Sequence, residues 1–258
     1  MNNRLFVATF SDNALETAKD FGVGLEINHT CISENLDLSN RGSLLAEIRR
    51  DIEAAGISSP KELFLHGPFT EIFPAAIDYR ALEFAEERLN QTFDVASEFG
   101  ISRMVVHTGW MPFIYFKEWQ AEKGAEFWQR FVADKPSNFS IYVENVLDDE
   151  PYMLLDMMTR IDDPRIKLCI DVGHAHATTS KDITVEKWIE VLGEHIGHFH
   201  LHNNDGTGDS HSAFDIGTMD MHSILNAIET YCSPDVTMTI EAHDAKNCLE
   251  WLKSAGHL

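Results

Sequence analysis

The sequence predicts an α/β fold, a single (β/α)8 TIM barrel occupying residues 1–258 as one domain. Three observations point there. Eight short apolar runs, six of them with β-branched residues, recur along the 258-residue chain, at roughly the 32-residue spacing of a strand–helix unit. Several of the stretches between them carry apolar residues at the 3.6-residue helical period. No Pro/Gly/Ser-rich linker or compositional break divides the chain.

The predicted strands are RLFVATF (4–10), VGLEIN (23–28), ELFLH (62–66), RMVVH (103–107), SIYVEN (140–145), KLCID (167–171), HFHLH (198–202) and TMTIE (237–241). Ala81, Leu82, Ala85, Leu89, Phe93 and Ala96 form a helical stripe between the third and fourth strands, and Phe127, Phe131 and Val132 fall in another before the fifth. Val185, Trp188, Ile189 and Leu192 mark a helix before the seventh strand, and Leu249, Trp251 and Leu252 close the chain. An open, doubly wound sheet is the alternative arrangement of such units. No G-x-G-x-x-G follows the first strand, however, and no P-loop motif occurs. Gly22-Val23-Gly24 precedes a strand and reads as a turn.

Composition excludes other classes. With 44% hydrophobic and 24% charged residues the chain is neither disordered, collagenous nor a coiled coil. No window approaches the ~18 apolar residues of a spanning helix, and the opening MNNRLFVATF shows no signal-peptide pattern. The expectation is a cytoplasmic protein without a membrane segment. Cys31, Cys169, Cys232 and Cys248 have no C-x-x-C spacing and read as reduced, mostly buried thiols. Against 20 lysines and arginines stand 42 acids, a formal net charge of −22, which repels DNA and acidic membranes at long range.

The chemistry-bearing residues collect at strand ends. His66, His107, Glu144, Asp171 and Glu241 each end an apolar run, and His200 sits within HFHLH. In a barrel of this type those ends converge on the mouth where active sites lie. His174 follows in DVGHA, and Asp209 and His211 form an Asp-x-His in GTGDSHSAFDIG. Asp171 alone would be satisfied as a helix cap. Nine such groups at one mouth would repel one another unless divalent cations compensated them. Imidazole with carboxylate suits zinc, manganese or iron. His198 reads as a core histidine, and His29, His176, His195, His222, His243 and His257 as surface or packing residues, His243 near the mouth.

HGPF at 66–69, VVHTGW at 105–110, VEN at 143–145, CIDVGHA at 169–175, HLHNNDGTGDSH at 200–211 and IEAH at 240–243 resemble the xylose isomerase-like TIM barrels. That superfamily includes endonuclease IV and the sugar-phosphate isomerase/epimerase group. The resemblance to endonuclease IV implies a trinuclear zinc site. Glu144 would bridge two ions, one also held by His66 and His107, the other by Asp171, His200 and Glu241. His174, Asp209 and His211 would hold a third. The resemblance to the epimerases implies one Mn, Co or Mg ion on Glu144, Asp171, His200 and Glu241, with Glu144 and Glu241 exchanging the substrate's proton. The expected cofactors are therefore divalent ions: zinc, up to three, or a single manganese, cobalt or magnesium.

Two mechanisms follow on this scaffold. The first is metal-assisted isomerisation or epimerisation of a small sugar or polyol, with Glu144 and Glu241 as catalytic residues. Trp110, His202 and Glu26 are candidate substrate contacts, and the aromatic residues Phe69, Phe73, Trp110, Phe113, Tyr115 and Phe116 could cover the pocket. The second is zinc-dependent phosphoester hydrolysis, including abasic-site cleavage of DNA. Even three dications would leave a net charge of about −16, with only Arg41 and Lys61 as basic residues near the second and third strand ends and no Lys/Arg stripe. A small carbohydrate is the expected partner and DNA is disfavoured. Exposed aromatic residues would also suit a homo-oligomer.

Overall fold

The computed structural model describes residues 4–180 and 182–258. Eight parallel strands close in chain order: β1 (Leu5–Ala8), β2 (Gly24–Ile27), β3 (Leu63–His66), β4 (Arg103–His107), β5 (Ser140–Glu144), β6 (Ile166–Asp171), β7 (Ile196–Leu201) and β8 (Thr237–Ile240). β1 pairs with both β2 and β8, which completes the barrel. Around it run α1 (Ala14–Phe21), α2 (Arg41–Ala55), α3 (Tyr79–Glu98), α4 (Lys117–Val132), α5 (Tyr152–Thr159), α6 (Val172–Thr178), α7 (Val185–Leu192), α8 (Met221–Tyr231) and α9 (Ala245–Ser254). The eight expected strands are all present, with ends displaced by at most two residues. One unit departs from simple alternation, because β6 runs directly into the short α6 before α7.

The period-two alternation of each strand sorts its side chains. Leu5, Val7, Leu25, Ile27, Leu63, Leu65, Met104 and Val106 join the core between barrel and helices. Their neighbours Phe6, Phe64, Val105 and Cys169, with Tyr142 packed against them, form a separate apolar cluster inside the barrel. Gly24 is required where β2 passes β1, since a Cβ there would lie 2.4 Å from the Phe6 ring and 2.5 Å from the Glu62 carbonyl oxygen. The Arg103 guanidinium lies 4.1 Å from the centroid of Phe64 and 4.9 Å from that of Phe6, capping this cluster from the strand N-terminal side.

Two residues further along the strands, the inward positions turn polar. His66 follows Phe64, His107 follows Val105, Glu144 follows Tyr142, Asp171 follows Cys169 and His200 follows His198. The same alternation that buries the apolar cluster therefore aims these groups up the barrel axis. All four cysteines are free thiols; Cys169 and Cys248 are buried, whereas Cys31 and Cys232 are half-buried. Among the described residues no helix is long and apolar enough to cross a membrane.

Candidate metal centre

The nine acidic and imidazole groups meet at the C-terminal mouth in three sets, His66–His107–Glu144, Glu144–Asp171–His200–Glu241 and His174–Asp209–His211, and the buried Glu26 forms a further group with His66, His200 and Glu241. Within each set the ligand atoms lie within 4.8 Å of one another. Glu144 is common to the first two. Its Oε2 is 3.3 Å from both His66 Nε2 and His107 Nε2, and its Oε1 is 3.2 Å from His200 Nδ1 and 3.4 Å from His174 Nδ1.

Local structure explains how each side chain arrives. Asp171 ends β6 and caps α6, its Oδ1 accepting the His174 backbone N–H at 2.6 Å. That cap fixes the turn that swings His174 over the mouth. The segment after β7 folds back on itself through an antiparallel bridge between Asn203 and Ser212, with side-chain-capped turns at Asn204 and Asp205. This fold-back returns Asp209 and His211 to the site. His211 occupies the left-handed region at φ 43°, a conformation that costs a non-glycine residue energy and persists where the surroundings impose it.

Three of the histidines are tied down through Nδ1 to a backbone carbonyl. His66 donates Nδ1–H to the Gly67 carbonyl (2.8 Å), His174 to the Asn145 carbonyl (2.9 Å) and His211 to the Glu241 carbonyl (2.6 Å). Each therefore turns Nε2 toward a carboxylate: His66 toward Glu144, and His174 and His211 toward Asp209 Oδ2 at 3.1 and 2.9 Å. Fixing one ring nitrogen this way sets the tautomer that binds a metal through the other. His200 is reversed, with Nε2 on Glu26 and Nδ1 facing the site. That Nδ1 is 3.1 Å from Glu241 Oε2 and 3.2 Å from Glu144 Oε1, yet neither is aligned for a hydrogen bond and the atom is buried without a partner. A buried nitrogen among three carboxylates with no aligned acceptor fits a cation, so the donor set suits zinc or another divalent ion.

Charge and burial displace the titrations. Burial alone would raise the Glu144 carboxyl, but His200 and His107 outweigh it and hold it well below the usual range. Burial likewise opposes the charge of His211; the Asp209 carboxylate on Nε2, with Glu241 and Asp171 nearby, outweighs it and lifts His211 to about 9. His174 is raised well above the ordinary value by Asp171, Asp209 and Glu144 against its own desolvation. Deeper in the barrel burial dominates, and His198 falls to about 4.

A cavity of about 610 Å³ opens above the cluster. His66, His107, Glu144, His174, Asp209, His211 and Glu241 form its floor and one side. Phe10, Phe69, Phe73 and Trp110 form aromatic walls, Phe69 stacking on His107 with centroids 4.8 Å apart. Asp171 and His200 lie beneath the floor, fully buried. No lysine or arginine is among the described residues that line the cavity. The nearby Lys117 sits 5.5 Å from the Trp110 ring centroid and is paired with Asp149 and Glu150.

The family model described as xylose isomerase-like TIM barrel matches residues 15–256. The chain belongs to that family. MJ1311 of Methanocaldococcus jannaschii, described as uncharacterized, is 26% identical over 190 residues, 65% of this chain and 60% of its own, so the chain spans less than two thirds of that relative. A probable endonuclease 4 of Mycobacterium leprae is 24% identical over 189 residues, covering 69% of this chain and 73% of the relative. Among solved structures, the TTHB071 protein from Thermus thermophilus, soaked with ZnCl2, matches with a TM-score of 0.78 at 22% identity over 99% of each chain. A D-tagatose 3-epimerase-like protein matches with a TM-score of 0.71 at 19% identity over 98% of this chain and 96% of the other. At these identities the superpositions establish the fold.

The structure of this xylose isomerase-like barrel places several of the expected contacts outside the cavity lining. Glu26 does not reach the cavity: it is fully buried, and its oxygens are taken by His200, His198 and Thr239. The β2–β3 register explains this, because Glu26 pairs with Phe64, one inward position below His66. His202 is also fully buried, its Nε2 on Asp171 at 3.0 Å and its ring stacked on His211 at 4.2 Å between centroids. It braces two of the candidate ligands and does not line the cavity. Trp110 does line the wall, its Nε1–H donating to the Tyr115 carbonyl at 3.1 Å. Phe113 and Phe116 point into solvent and Tyr115 packs on the core, so none of the three covers the pocket. Phe10, Asn28, Cys31 and Ile32 line the cavity without having been singled out; all sit just beyond the first two strands, where the mouth-forming loops begin.

Proposed function

We propose that this protein is a divalent-metal-dependent isomerase or epimerase of a small, uncharged sugar or sugar-like polyol. The observation that carries this reading is the cavity itself: about 610 Å³, within the usual ~300–1,000 Å³ of small-molecule sites, walled by aromatic rings and floored by Glu144 and Glu241, with no lysine or arginine in its lining. A phosphate or carboxylate substrate would find no lysine or arginine there to clamp it, whereas a polyol needs none. The fold shared with an epimerase-like protein agrees with this reading.

Glu144, Asp171, His200 and Glu241 would hold the ion central to this reaction, and His66, His107, His174, Asp209 and His211 offer places for others. When bound, a divalent ion supplies Lewis acidity that polarises a substrate carbonyl and acidifies the neighbouring C–H. The chain does the rest. Phe69, Phe73 and Trp110 hold the apolar face of the substrate and exclude water from the floor. Glu144 or Glu241 takes the proton from carbon, and the other carboxylate or a water returns it, inverting or relocating the centre.

A second reading, a multinuclear zinc phosphoesterase, is favoured by the His174–Asp209–His211 set and the shared Glu144, and by the relative described as a probable endonuclease 4. The decisive experiment combines elemental analysis of protein purified without chelator with two substrate panels. Deuterium uptake at carbon from D2O into a ketose or aldose supports the isomerase reading. Phosphoester hydrolysis with about three zinc ions per chain, and no exchange on any sugar, would replace it with the second. Binding of an abasic duplex at physiological salt would overturn the charge argument against DNA.

A further inference from the structure

We infer that Glu26, a residue with no access to the cavity, is the positioning residue that makes His200 a metal ligand through Nδ1. This rests on the metal-binding reading of the site. His200 is the member of the cluster whose cluster-facing atom is Nδ1 with a side-chain carboxylate on the other nitrogen; His66, His174 and His211 are each tied to a backbone carbonyl through Nδ1. A backbone carbonyl is supplied by any sequence. The acceptor for His200 depends on one side chain.

Glu26 lies fully buried on β2, across the barrel from β7. Its Oε1 is 3.1 Å from His200 Nε2, and its Oε2 is 3.3 Å from both His200 Nε2 and His198 Nε2. Thr239 Oγ1 donates to Oε2 at 2.5 Å. A carboxylate can only accept here, so in the metal-binding form Nε2 keeps its ring proton and Nδ1 is the nitrogen that presents the lone pair. Nδ1 sits 3.1 Å from Glu241 Oε2, 3.2 Å from Glu144 Oε1 and 3.9 Å from Asp171 Oδ2, with no aligned hydrogen bond. The opposite tautomer would aim an N–H at the ion position and leave Nε2 facing Glu26 lone pair to lone pair. Glu26 excludes it. A carboxylate behind the imidazole also raises ligand basicity. Thr239 holds the carboxylate in turn, from β8, the strand that ends just before Glu241.

The test is cobalt(II) titration of metal-free protein, followed by visible absorption and competition with a chelator, on wild type, Glu26→Gln and Thr239→Val. The amide of Glu26→Gln matches the size of the carboxylate but not its charge. Affinity at the site should weaken by about 10- to 100-fold while the number of ions bound at saturation and the melting temperature of the metal-free protein stay unchanged. Thr239→Val keeps the charge, removes one anchor of Glu26 and should weaken affinity in the same direction by less. It decides the matter if Glu26→Gln fails to fold. Unchanged affinity in folded variants would overturn the inference and leave the metal site standing. Loss of one whole ion at saturation in Glu26→Gln would also overturn it, since Glu26 would then be a ligand itself. A wild-type protein that takes up no cobalt would remove both this inference and the reading beneath it.

Discussion

An ion entering the His174–Asp209–His211 set should expel protons, and the structure fixes how many. Both rings donate Nδ1–H to backbone carbonyls, so their Nε2 atoms converge on one oxygen, Asp209 Oδ2, at 3.1 and 2.9 Å. Two lone pairs aimed at a carboxylate would repel it, and protonation of each Nε2 converts both contacts into charge-assisted hydrogen bonds. His211 is accordingly raised to about 9, and His174 is raised as well. At pH 7 the imidazolium of His211 outnumbers the free base by roughly 100 to 1, about 2.7 kcal/mol that an entering ion must overcome. Affinity for that ion should therefore rise about tenfold per pH unit between 7 and 9 through His211 alone, and more steeply where His174 also titrates. The sign reverses for the metal-free protein: the His211 pair stabilises fully below about pH 6.5 and its contribution is lost as pH rises through about 9. Calorimetry at pH 7 in two buffers of different ionisation enthalpy counts the protons. Close to two should be released for this ion, and one fewer in His211→Ala. Release of none at pH 7 would show that the rings are already neutral and that the reasoning is wrong.

Three further perturbations test other parts of the site. Glu144→Ala removes the carboxylate that faces four histidines; activity should fall by at least ~10²–10⁴-fold, the scale of acid–base catalysis, with circular dichroism unchanged, and full activity would sink the assignment. Gly173→Ala places a Cβ 1.9 Å from Cε1 of the buried His202; the ring that braces Asp171 must move, so urea unfolding should register a loss of about 1–3 kcal/mol together with weaker metal binding. Asp148 is fully buried, with Oδ1 unpartnered and burial raising its carboxyl from 3.8 to about 6. Its charge costs stability that is absent below about pH 3.8 and complete above about pH 6. Between pH 4 and pH 8 the stability of Asp148→Asn relative to wild type should therefore move by about 3 kcal/mol in favour of the variant, read from paired urea curves.

The barrel was legible because its strands are short apolar runs and, from the third on, carry a polar residue at or near the end, as in LFLH, MVVH and IYVE. Strand ends were less so, since Thr9 and Phe10 continue the β1 composition after the pairing stops. His202, beyond the end of β7, is covered by the stacked His211 ring, whereas Glu26 is buried by its register. Position near a strand end does not give height in the barrel, which depends on register between strands, and only pairing supplies that: Glu26 lies level with Phe64, below His66. Parity alone would have turned Glu26 inward with Phe6 and Phe64, and that signal was present in GLEI. The aromatic residues after β4 failed differently. Phe113 takes a left-handed backbone at φ 67°, and the loop turns its side chain away from the mouth, which composition cannot report.

Substrate charge and ion count are linked through the carboxylates of the site. Glu26, Glu144, Asp171, Asp209 and Glu241 bring five negative charges to one end of the barrel, and no lysine or arginine lines the cavity above them. With His174 and His211 protonated and a single dication, the site retains about one negative charge; with those protons displaced by three dications it carries about one positive. A phosphoester approaching the singly loaded site meets repulsion in a pocket where low polarity strengthens it, while a polyol meets none. On the proposed function the third set would be more than a spare place for metal. Filling it is what would turn a site suited to neutral sugars into one that tolerates a phosphate, and the protons held by His174 and His211 oppose that filling at neutral pH.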